Sequence, residues 1–153
     1  MADELPEITL KAIGVIRNKV KQTPGPEYDW WGIVSEIVVD SSLSEALDNL
    51  DEFSHIIVIY WMHRASATGK LPTKVHPRGK AELPLVGLFA SRSPYRPNPI
   101  GKATVRLLER QGNILKVEGL DAIDGTPVID IKPYIPGYDS VNDARVPPWI
   151  TSL

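Results

Sequence analysis

The feature that most constrains the fold is a succession of short β-prone segments with very little helical sequence between them. HIIVIYWM (His55–Met62) is a continuous apolar run bounded by polar residues, which predicts a strand buried on both faces. KATVRLLER and ILKVEGL flank Gln111-Gly112-Asn113, and this arrangement predicts a β-hairpin. Strand character is also present in ITLKAIGVI, GIVSEIVV, LVGLFA and TPVIDIKPY, the last of which follows a predicted turn at Asp124-Gly125.

Only the segment SSLSEALDNL favours a helix. Ser42 and Glu45 have the spacing of a capping box, and a short apolar stripe is formed by Leu43, Ala46, Leu47 and Leu50. The chain shows no alternation of strands and helices, so seven strand-like segments and one short helix favour a barrel or a sandwich. The segment from Arg64 to Pro84 has no clear period and is predicted to be a long functional or mobile loop.

Composition limits the class of protein. The 153 residues fit one domain, 1–153, and the hydrophobic fraction of 42% is enough for a core. The absence of cysteine excludes disulfides, thiolate metal sites and cysteine nucleophiles. No apolar window of about 18 residues is present, and MADELPEITL does not resemble a signal peptide. A cytoplasmic protein without a membrane span is therefore expected.

Basic residues are concentrated in one part of the chain, although the net charge is −2. Nine Lys and Arg and one acid lie between Arg64 and Arg106, whereas the remainder of the chain is acidic. This asymmetry favours a local anion-binding site over a generally basic surface. Solvated cations, or cations paired with acids from elsewhere in the chain, are the alternative.

The segment SRSPYRPNPIGKATV (Ser91–Val105) holds three prolines and two arginines within a few positions. Proline fixes φ, so this loop is predicted to be preorganised, which lowers the entropic cost of binding a ligand. Its arginines suit a carboxylate or a phosphate, and Asn98 offers both a donor and an acceptor. Gly101 is expected to permit a close approach of another backbone. A Pro-rich connector with solvated arginines is the alternative, and the spacing alone does not name a ligand.

Other residues are less informative. The three histidines, His55, His63 and His76, match no metal-binding motif, so no metal is predicted. His63 is expected to line the site from the end of its strand. Trp30 and Trp31 are expected in the core or at a dimer surface. The chain has no GxGxxG after a first strand, which argues against a Rossmann-type nucleotide fold.

Two long motifs carry a family resemblance. GLFASRSPYRPNPIG and GLDAIDGTPVIDIKPYIPGYD, together with FSHIIVIYWMHRA and HPRG, resemble the TsaA-like family, which includes the TrmO-type tRNA N6-methyltransferases. The resemblance runs from about Ile8 to Asp139, and TPGPEYDWW is its most divergent part. It implies a mainly β fold: a single small antiparallel β-barrel with one short helix and long loops, forming a homodimer with the cofactor near the interface.

The resemblance also implies an activity. The family binds S-adenosyl-L-methionine, and TrmO-type members methylate N6 of threonylcarbamoyladenosine beside the tRNA anticodon. The cofactor carboxylate is then expected at Arg92 and the backbone of Ser93. The adenine is expected against Pro94, Asn98 and Ile100, and Asp121 is a further cofactor-binding candidate.

The reaction that the resemblance implies also needs groups on the substrate side. Because the nucleophilic nitrogen would benefit from losing a proton, a general base is expected, and its candidates are Asp130 or, through a neighbour, Tyr134. Either Arg96 or Lys132 would hold the threonine carboxylate of the modified base. Contacts to the tRNA anticodon loop are expected from cationic and aromatic side chains: Arg64, Lys74, Arg78, Lys80, Tyr95 and Arg96.

Two rival functions remain open from the sequence. A non-enzymatic RNA-binding barrel with the same basic loop would bind tRNA without a cofactor. A methyltransferase for another small or nucleic-acid substrate would bind the cofactor but would not modify threonylcarbamoylated tRNA. Without the family resemblance, the residues predict only a cytoplasmic β-rich domain with a rigid cationic loop.

Overall fold

Six antiparallel strands close into one barrel in the computed structural model, which describes residues 4–65 and 69–153. These strands span the following ranges: β1 Gly14–Arg17, β2 Val34–Val39, β3 His55–Trp61, β6 Ile100–Gln111, β7 Ile114–Glu118 and β8 Pro127–Pro133. The order around the barrel is β1-β2-β7-β6-β3-β8, and β8 pairs with β1 to complete it. The predicted antiparallel barrel is confirmed.

The barrel interior is filled by inward-facing aliphatic side chains. Strands β2 and β7 alternate buried and accessible residues, as expected where a strand has one face on a core. β3 is apolar almost throughout, and Ile56, Ile57 and Val58 are all buried, as the continuous run predicted. A second cluster of Val20, Ile33 and Ile123 extends this core at one end, next to Trp30.

The hairpin between β6 and β7 turns at Gly112, whose φ of 60° lies in the left-handed region that glycine adopts freely. It therefore forms where QGN predicted it. Two further strands, β4 Lys74–Val75 and β5 Val86–Gly87, make a separate two-stranded sheet within the long 64–84 segment and its continuation. Residues 66–68 of that segment lie outside the described part of the chain.

A helical element forms where SSLSEALDNL predicted one, but its type and its cap differ from the capping-box prediction. Residues Ser41–Leu47 form a 3-10 helix whose N-cap is Asp40, not Ser42, because the Asp40 side chain accepts a hydrogen bond from the Ser42 N–H. The segment is short and only Leu47 of it is buried, so little packing is available to offset the nucleation of an α-helix. A second 3-10 turn, Leu50–Glu52, leads into β3.

Two predicted strands are shorter than expected. ITLKAIGVI forms a strand only from Gly14, where pairing with β2 and β8 begins. LVGLFA forms the two-residue β5 and then a 3-10 turn, Leu88–Ala90. Further helical elements are a single α-helical turn, α1 (Pro136–Asp139), and 3-10 turns at Pro77–Gly79 and Pro148–Ser152.

Candidate active site

A pocket of about 630 Å³ opens at the end of the barrel where β3 ends and β6 and β8 begin. Four segments that are distant in sequence form its walls: the loop before β2, the end of β3, the Pro/Arg loop with the start of β6, and the β7–β8 connection. Their lining residues are Thr23–Pro26, Trp30, Tyr60, Met62–Ala65, Arg92, Pro94–Arg96, Ile100–Lys102 and Asp121–Ile123 with Thr126.

The floor of the pocket holds a buried tyrosine bonded to an exposed aspartate. Tyr60 is 4% exposed, and its hydroxyl donates a 2.7 Å hydrogen bond to Oδ1 of Asp121. Burial and the neighbouring Asp121 carboxylate raise the pKa of Tyr60 far above its usual value, while the positive charge of Arg92 opposes the shift. The phenol therefore keeps its proton at neutral pH and acts as a donor.

Gly101 makes room for that tyrosine. It faces Tyr60 across the β3–β6 pair, and a Cβ at this position would lie 2.4 Å from Cε2 of the Tyr60 ring. The close approach that the sequence predicted at Gly101 is therefore to an aromatic ring and not to another backbone. The aromatic ring occupies the space that a side chain on β6 would fill.

The Pro/Arg loop is held by its own side chains. Nη1 of Arg96 donates to the carbonyls of Ser91 and Ser93, at 2.9 and 3.2 Å, and its guanidinium lies over the Phe89 ring at 5.5 Å. The Ser91 hydroxyl donates to the Leu88 carbonyl and accepts from the Ser93 N–H. Arg96 thus stabilises the loop as well as lining the pocket, a role that the sequence did not predict.

Arg92 differs from Arg96. Its side chain is exposed and lines the pocket, and it makes no hydrogen bond or ion pair with any residue in 4–65 or 69–153. Fixing the loop with Arg96 therefore leaves Arg92 available to a ligand.

His63 adds a titratable group to the pocket wall, as predicted. Partial burial, and then the positive charge of Arg64, lower the pKa of His63, while a hydrogen bond to the Trp61 backbone opposes the shift. Its imidazole is neutral at pH 7 and can accept a proton.

The loop before β2 was not predicted to reach the site. Thr23, Pro24, Gly25 and Pro26 line the pocket, and Trp30 lines it as well while packing on the second core cluster. The two tryptophans therefore have different environments, since Trp30 lines the pocket whereas Trp31 is 84% exposed. The TPGP turn carries no charged group, so its composition alone gave no binding signal.

A polar network anchors this loop to the β7–β8 connection. Nδ2 of Asn18 donates to the Ser35 hydroxyl and the Ala122 carbonyl, and the Asn18 N–H donates to Asp124. The bond from Asn18 is the main cause of a lowered pKa at Asp124. Asp124 is therefore a turn-forming residue, whereas Asp121 faces the pocket.

The pocket brings together about half of the residues that the sequence singled out. Those that line it are Arg64, Arg92, Pro94, Tyr95, Arg96, Ile100 and Asp121. Ser93 supports the loop from behind through its hydroxyl and carbonyl oxygens. Asn98 is exposed outside the lining, and its carbonyl accepts from the Ile100 N–H.

The structure does not bring the two candidate bases to the pocket of the same chain. The register shifts between Ile59 and Tyr60, where they pair with Asp130 and Val128, so Ile129 is an extra residue on β8. Asp130 is half-exposed and pairs with Lys132 at 2.9 Å, while Ile131 between them packs on the core. The Tyr134 N–H donates to the carbonyl of His55, which begins β3, whereas the pocket lies where β3 ends. Tyr134 is therefore about 20 Å from the pocket end, measured along β8.

The remaining cations lie on the long segment outside the pocket lining. Lys74 is on β4, and Arg78 and Lys80 are at the 3-10 turn Pro77–Gly79. Arg78 has φ 54° and ψ 21°, a left-handed conformation that costs free energy in a residue other than glycine. Its exposed side chain is displayed on a fixed turn.

Among residues 4–65 and 69–153, no group of three His, Asp or Glu side chains is arranged to hold a metal ion. Within the same ranges, no helix has the length and apolar character needed to cross a membrane.

Comparison with known proteins decides the family. A sequence profile described as the tRNA-methyltransferase O N-terminal domain matches residues 18–140. The chain belongs to this family. The TsaA-like, TrmO-type resemblance inferred from the two motifs is thereby confirmed.

Individual relatives agree with the profile. An S-adenosyl-L-methionine-binding protein from Archaeoglobus fulgidus is 46% identical over 135 residues, which cover 87% of this chain and 94% of that protein. The tRNA (adenine(37)-N6)-methyltransferase of Escherichia coli is 38% identical over 144 residues, covering 86% of this chain and 60% of the enzyme. A crystal structure of TrmO from Pseudomonas aeruginosa superposes with a TM-score of 0.75 and 33% identity, covering 93% of this chain and 62% of that one.

Relatives of this family differ in length. The chain spans about three fifths of the two bacterial proteins and 37% of a longer relative from Archaeoglobus fulgidus. The profile match over residues 18–140 includes all four pocket walls and the barrel strands from β2 to β8.

Proposed function

We propose that the pocket binds S-adenosyl-L-methionine and that the protein transfers its methyl group to N6 of threonylcarbamoyladenosine beside the tRNA anticodon. The observation that carries this proposal is an exposed arginine and an exposed aspartate on the walls of one pocket lined also by apolar and aromatic side chains. The names of the archaeal and bacterial relatives support the cofactor and the reaction, respectively. We also propose that residues 1–153 form a single domain.

The pocket residues suit the parts of this cofactor. Its volume of about 630 Å³ falls within the range of small-molecule sites. Arg92 offers a charge-assisted contact to a carboxylate, and Pro94, Ile100 and Trp30 offer flat apolar contacts to an adenine.

The cofactor supplies an electrophilic methyl group on a sulfonium. In the proposed transfer a bond forms between N6 and the methyl carbon, the carbon–sulfur bond breaks, and N6 loses its proton. The protein contributes alignment by holding both reactants in one preorganised pocket. It also contributes a proton acceptor, and our candidate for that role is neutral His63 on the pocket wall.

Asp130 and Tyr134 remain candidates for the base only if a second copy of the chain supplies them. We propose that the protein is a homodimer, which the exposed apolar side chains Leu5, Ile8 and Leu10 support. In a symmetric dimer, groups far from the pocket in one subunit can face the pocket of the other. Sedimentation of the purified protein tests the oligomeric state.

The pH dependence of methyl transfer should report on His63. Because the pKa of His63 is lowered, its neutral form predominates at every pH above the usual histidine pKa of about 6.5. It also predominates over part of the pH range below that value. We therefore expect single-turnover rates that are flat through neutral pH and fall only at more acidic pH.

The variant His63→Gln should abolish that acidic limb and slow transfer about 100-fold, in line with the loss of a general base. Cofactor affinity should change less than the rate does. An unchanged pH profile in His63→Gln would assign the base to another residue.

We propose that tRNA lies across the basic surface beside the pocket. Arg64, Tyr95 and Arg96 line the pocket itself, while Arg78 and Lys80 extend the surface along the 77–80 turn. Lys132 is paired with Asp130 away from this face, so Arg96 is the better candidate for the threonine carboxylate. We place the activity in the cytoplasm.

The variant Arg78→Gly removes both the charge and the backbone strain at position 78, and each change has its own measurement. Glycine adopts the left-handed conformation of position 78 freely, so stability should be retained or should rise by up to about 1 kcal/mol. tRNA affinity should fall about threefold or more at low salt, and the slope of log affinity against log salt should shrink by about 1.

Filter binding across a salt series and urea unfolding measure the two effects of Arg78→Gly. The control is Arg145→Ala, which removes an exposed cation from the C-terminal segment. Arg17 is not used for this purpose because it lies on strand β1. An unchanged salt slope in Arg78→Gly would remove this residue from the RNA surface.

The proposed activity is tested with radiolabelled cofactor and two tRNA samples, one with threonylcarbamoyladenosine and one without. Transfer to the modified tRNA alone supports the proposal. Binding of tRNA without cofactor binding would favour a non-enzymatic RNA-binding barrel, and cofactor binding without transfer to either tRNA would indicate another substrate.

A further inference from the structure

Tyr60 connects two distant parts of the chain at the pocket floor. Its hydroxyl, at the end of β3, reaches across to Oδ1 of Asp121 in the β7–β8 connection. The phenol is buried while the carboxylate it contacts is exposed in the pocket. A buried hydroxyl bonded to an exposed charge fixes the direction in which that charge points.

The ring is held as firmly as its hydroxyl. Because Gly101 has no side chain, the Tyr60 ring occupies the space in front of β6. The ring therefore has a fixed position, and the hydroxyl has a fixed target. Since the phenol keeps its proton at neutral pH, one oxygen of Asp121 is always engaged as an acceptor.

The other oxygen, Oδ2, has no hydrogen-bond partner among the described residues of this chain. Arg92 lines the same pocket, and its charge acts on Tyr60, yet Arg92 and Asp121 form no ion pair within the described ranges. The pocket thus offers one negative and one positive group that are both available to a ligand. A zwitterionic α-amino acid group, with an ammonium and a carboxylate on one carbon, complements such a pair.

We propose that Tyr60, seated against Gly101, is a positioning residue that directs Asp121 at the α-ammonium of the ligand while Arg92 takes its α-carboxylate. The inference rests on the proposed function, because the amino acid group is that of the cofactor. It assigns Asp121 to the amino acid end of the ligand and gives the tyrosine a role distinct from filling the core.

The test compares two ligands that differ in the amino acid group. S-adenosylhomocysteine carries it, whereas 5′-methylthioadenosine has the same nucleoside without it. Calorimetric titration of both is made with the wild type, Tyr60→Phe and Asp121→Asn. Tyr138→Phe, which alters a tyrosine that is 83% exposed on α1, and Asp143→Asn are the matched controls.

We expect Asp121→Asn to weaken S-adenosylhomocysteine binding about tenfold or more, and Tyr60→Phe about threefold to tenfold. Binding of 5′-methylthioadenosine should stay within about twofold in both variants, and the controls should bind both ligands like the wild type. Phenylalanine fills the same space over Gly101, so Tyr60→Phe should remain folded, which a melting curve verifies.

Equal weakening for both ligands would overturn the inference, because it would place Asp121 at the ribose or make Tyr60 a determinant of pocket shape. Unchanged S-adenosylhomocysteine affinity in Tyr60→Phe would also overturn it. These outcomes leave cofactor binding by the wild type intact. If the wild type bound neither ligand, the proposed function would fail together with the inference.

Discussion

Replacing Arg92 by alanine is expected to weaken S-adenosyl-L-methionine binding between about 10-fold and 100-fold without lowering the melting temperature. A hydrogen bond to a charged group contributes about 1.5–3 kcal/mol, and the cofactor carboxylate would lose its partner. Stability should be unaffected because the Arg92 side chain is exposed and has no hydrogen bond or ion pair in the described parts of the chain.

Two other arginines serve as controls for this result. Arg106→Ala removes an exposed guanidinium from β6, opposite His55 and away from the pocket, and should bind the cofactor like the wild type. Arg96→Ala should weaken binding and also lower stability, because Arg96 holds the carbonyls of Ser91 and Ser93. Unaltered cofactor affinity in Arg92→Ala, measured by calorimetric titration, would move the carboxylate to another partner.

Gly101→Ala should destabilise the protein by about 1–3 kcal/mol and weaken cofactor binding at the same time. The new Cβ would lie 2.4 and 2.5 Å from two carbon atoms of the Tyr60 ring. Because Tyr60 is buried, its ring can make room only by disturbing the pocket floor and the bond to Asp121. Both losses therefore have one cause.

Urea unfolding and calorimetry measure the two effects of Gly101→Ala. Gly87→Ala is the matched control, since a Cβ on Gly87 meets no atom within 4 Å and the residue has an ordinary φ of −58°. Similar changes in the two glycine variants would show that the effect is a general cost of alanine in a strand and not a clash with Tyr60.

Much of the fold was predictable because the patterns that indicate strands and hairpins involve residues close together in the sequence. The apolar run of β3 and the Gly112 hairpin are local signals, and both are confirmed. A helical element forms in the segment where one was predicted, but the predicted cap was wrong: Ser42 and Glu45 have capping-box spacing, yet Asp40, two residues before Ser42, supplies the cap. A competing cap of this kind is decided by backbone geometry that the residue pattern does not contain.

The site was predictable only where charge and proline concentrate. The composition of the Pro/Arg loop drew attention to Arg92. Thr23 to Pro26 are uncharged, and their loop, which Asn18 anchors to the β7–β8 connection, reaches the pocket without such a signal. Tyr60 lies within the apolar run of β3, where burial in the core is a sufficient explanation for an aromatic residue. Tyr60 bonds to Asp121 and packs on Gly101, which lie 61 and 41 residues further along the chain, so no local pattern could reveal these contacts.

The direction of β6 has a practical consequence for protein engineering. This strand begins at the pocket with Ile100 and runs for 12 residues to the Gly112 turn, about 35 Å away. Loop tips of this kind tolerate insertions at small cost in free energy. A fluorescent or affinity module inserted at this hairpin would therefore be carried on the far end of the barrel, where it leaves the mouth of the pocket open to both a nucleoside and a large polynucleotide.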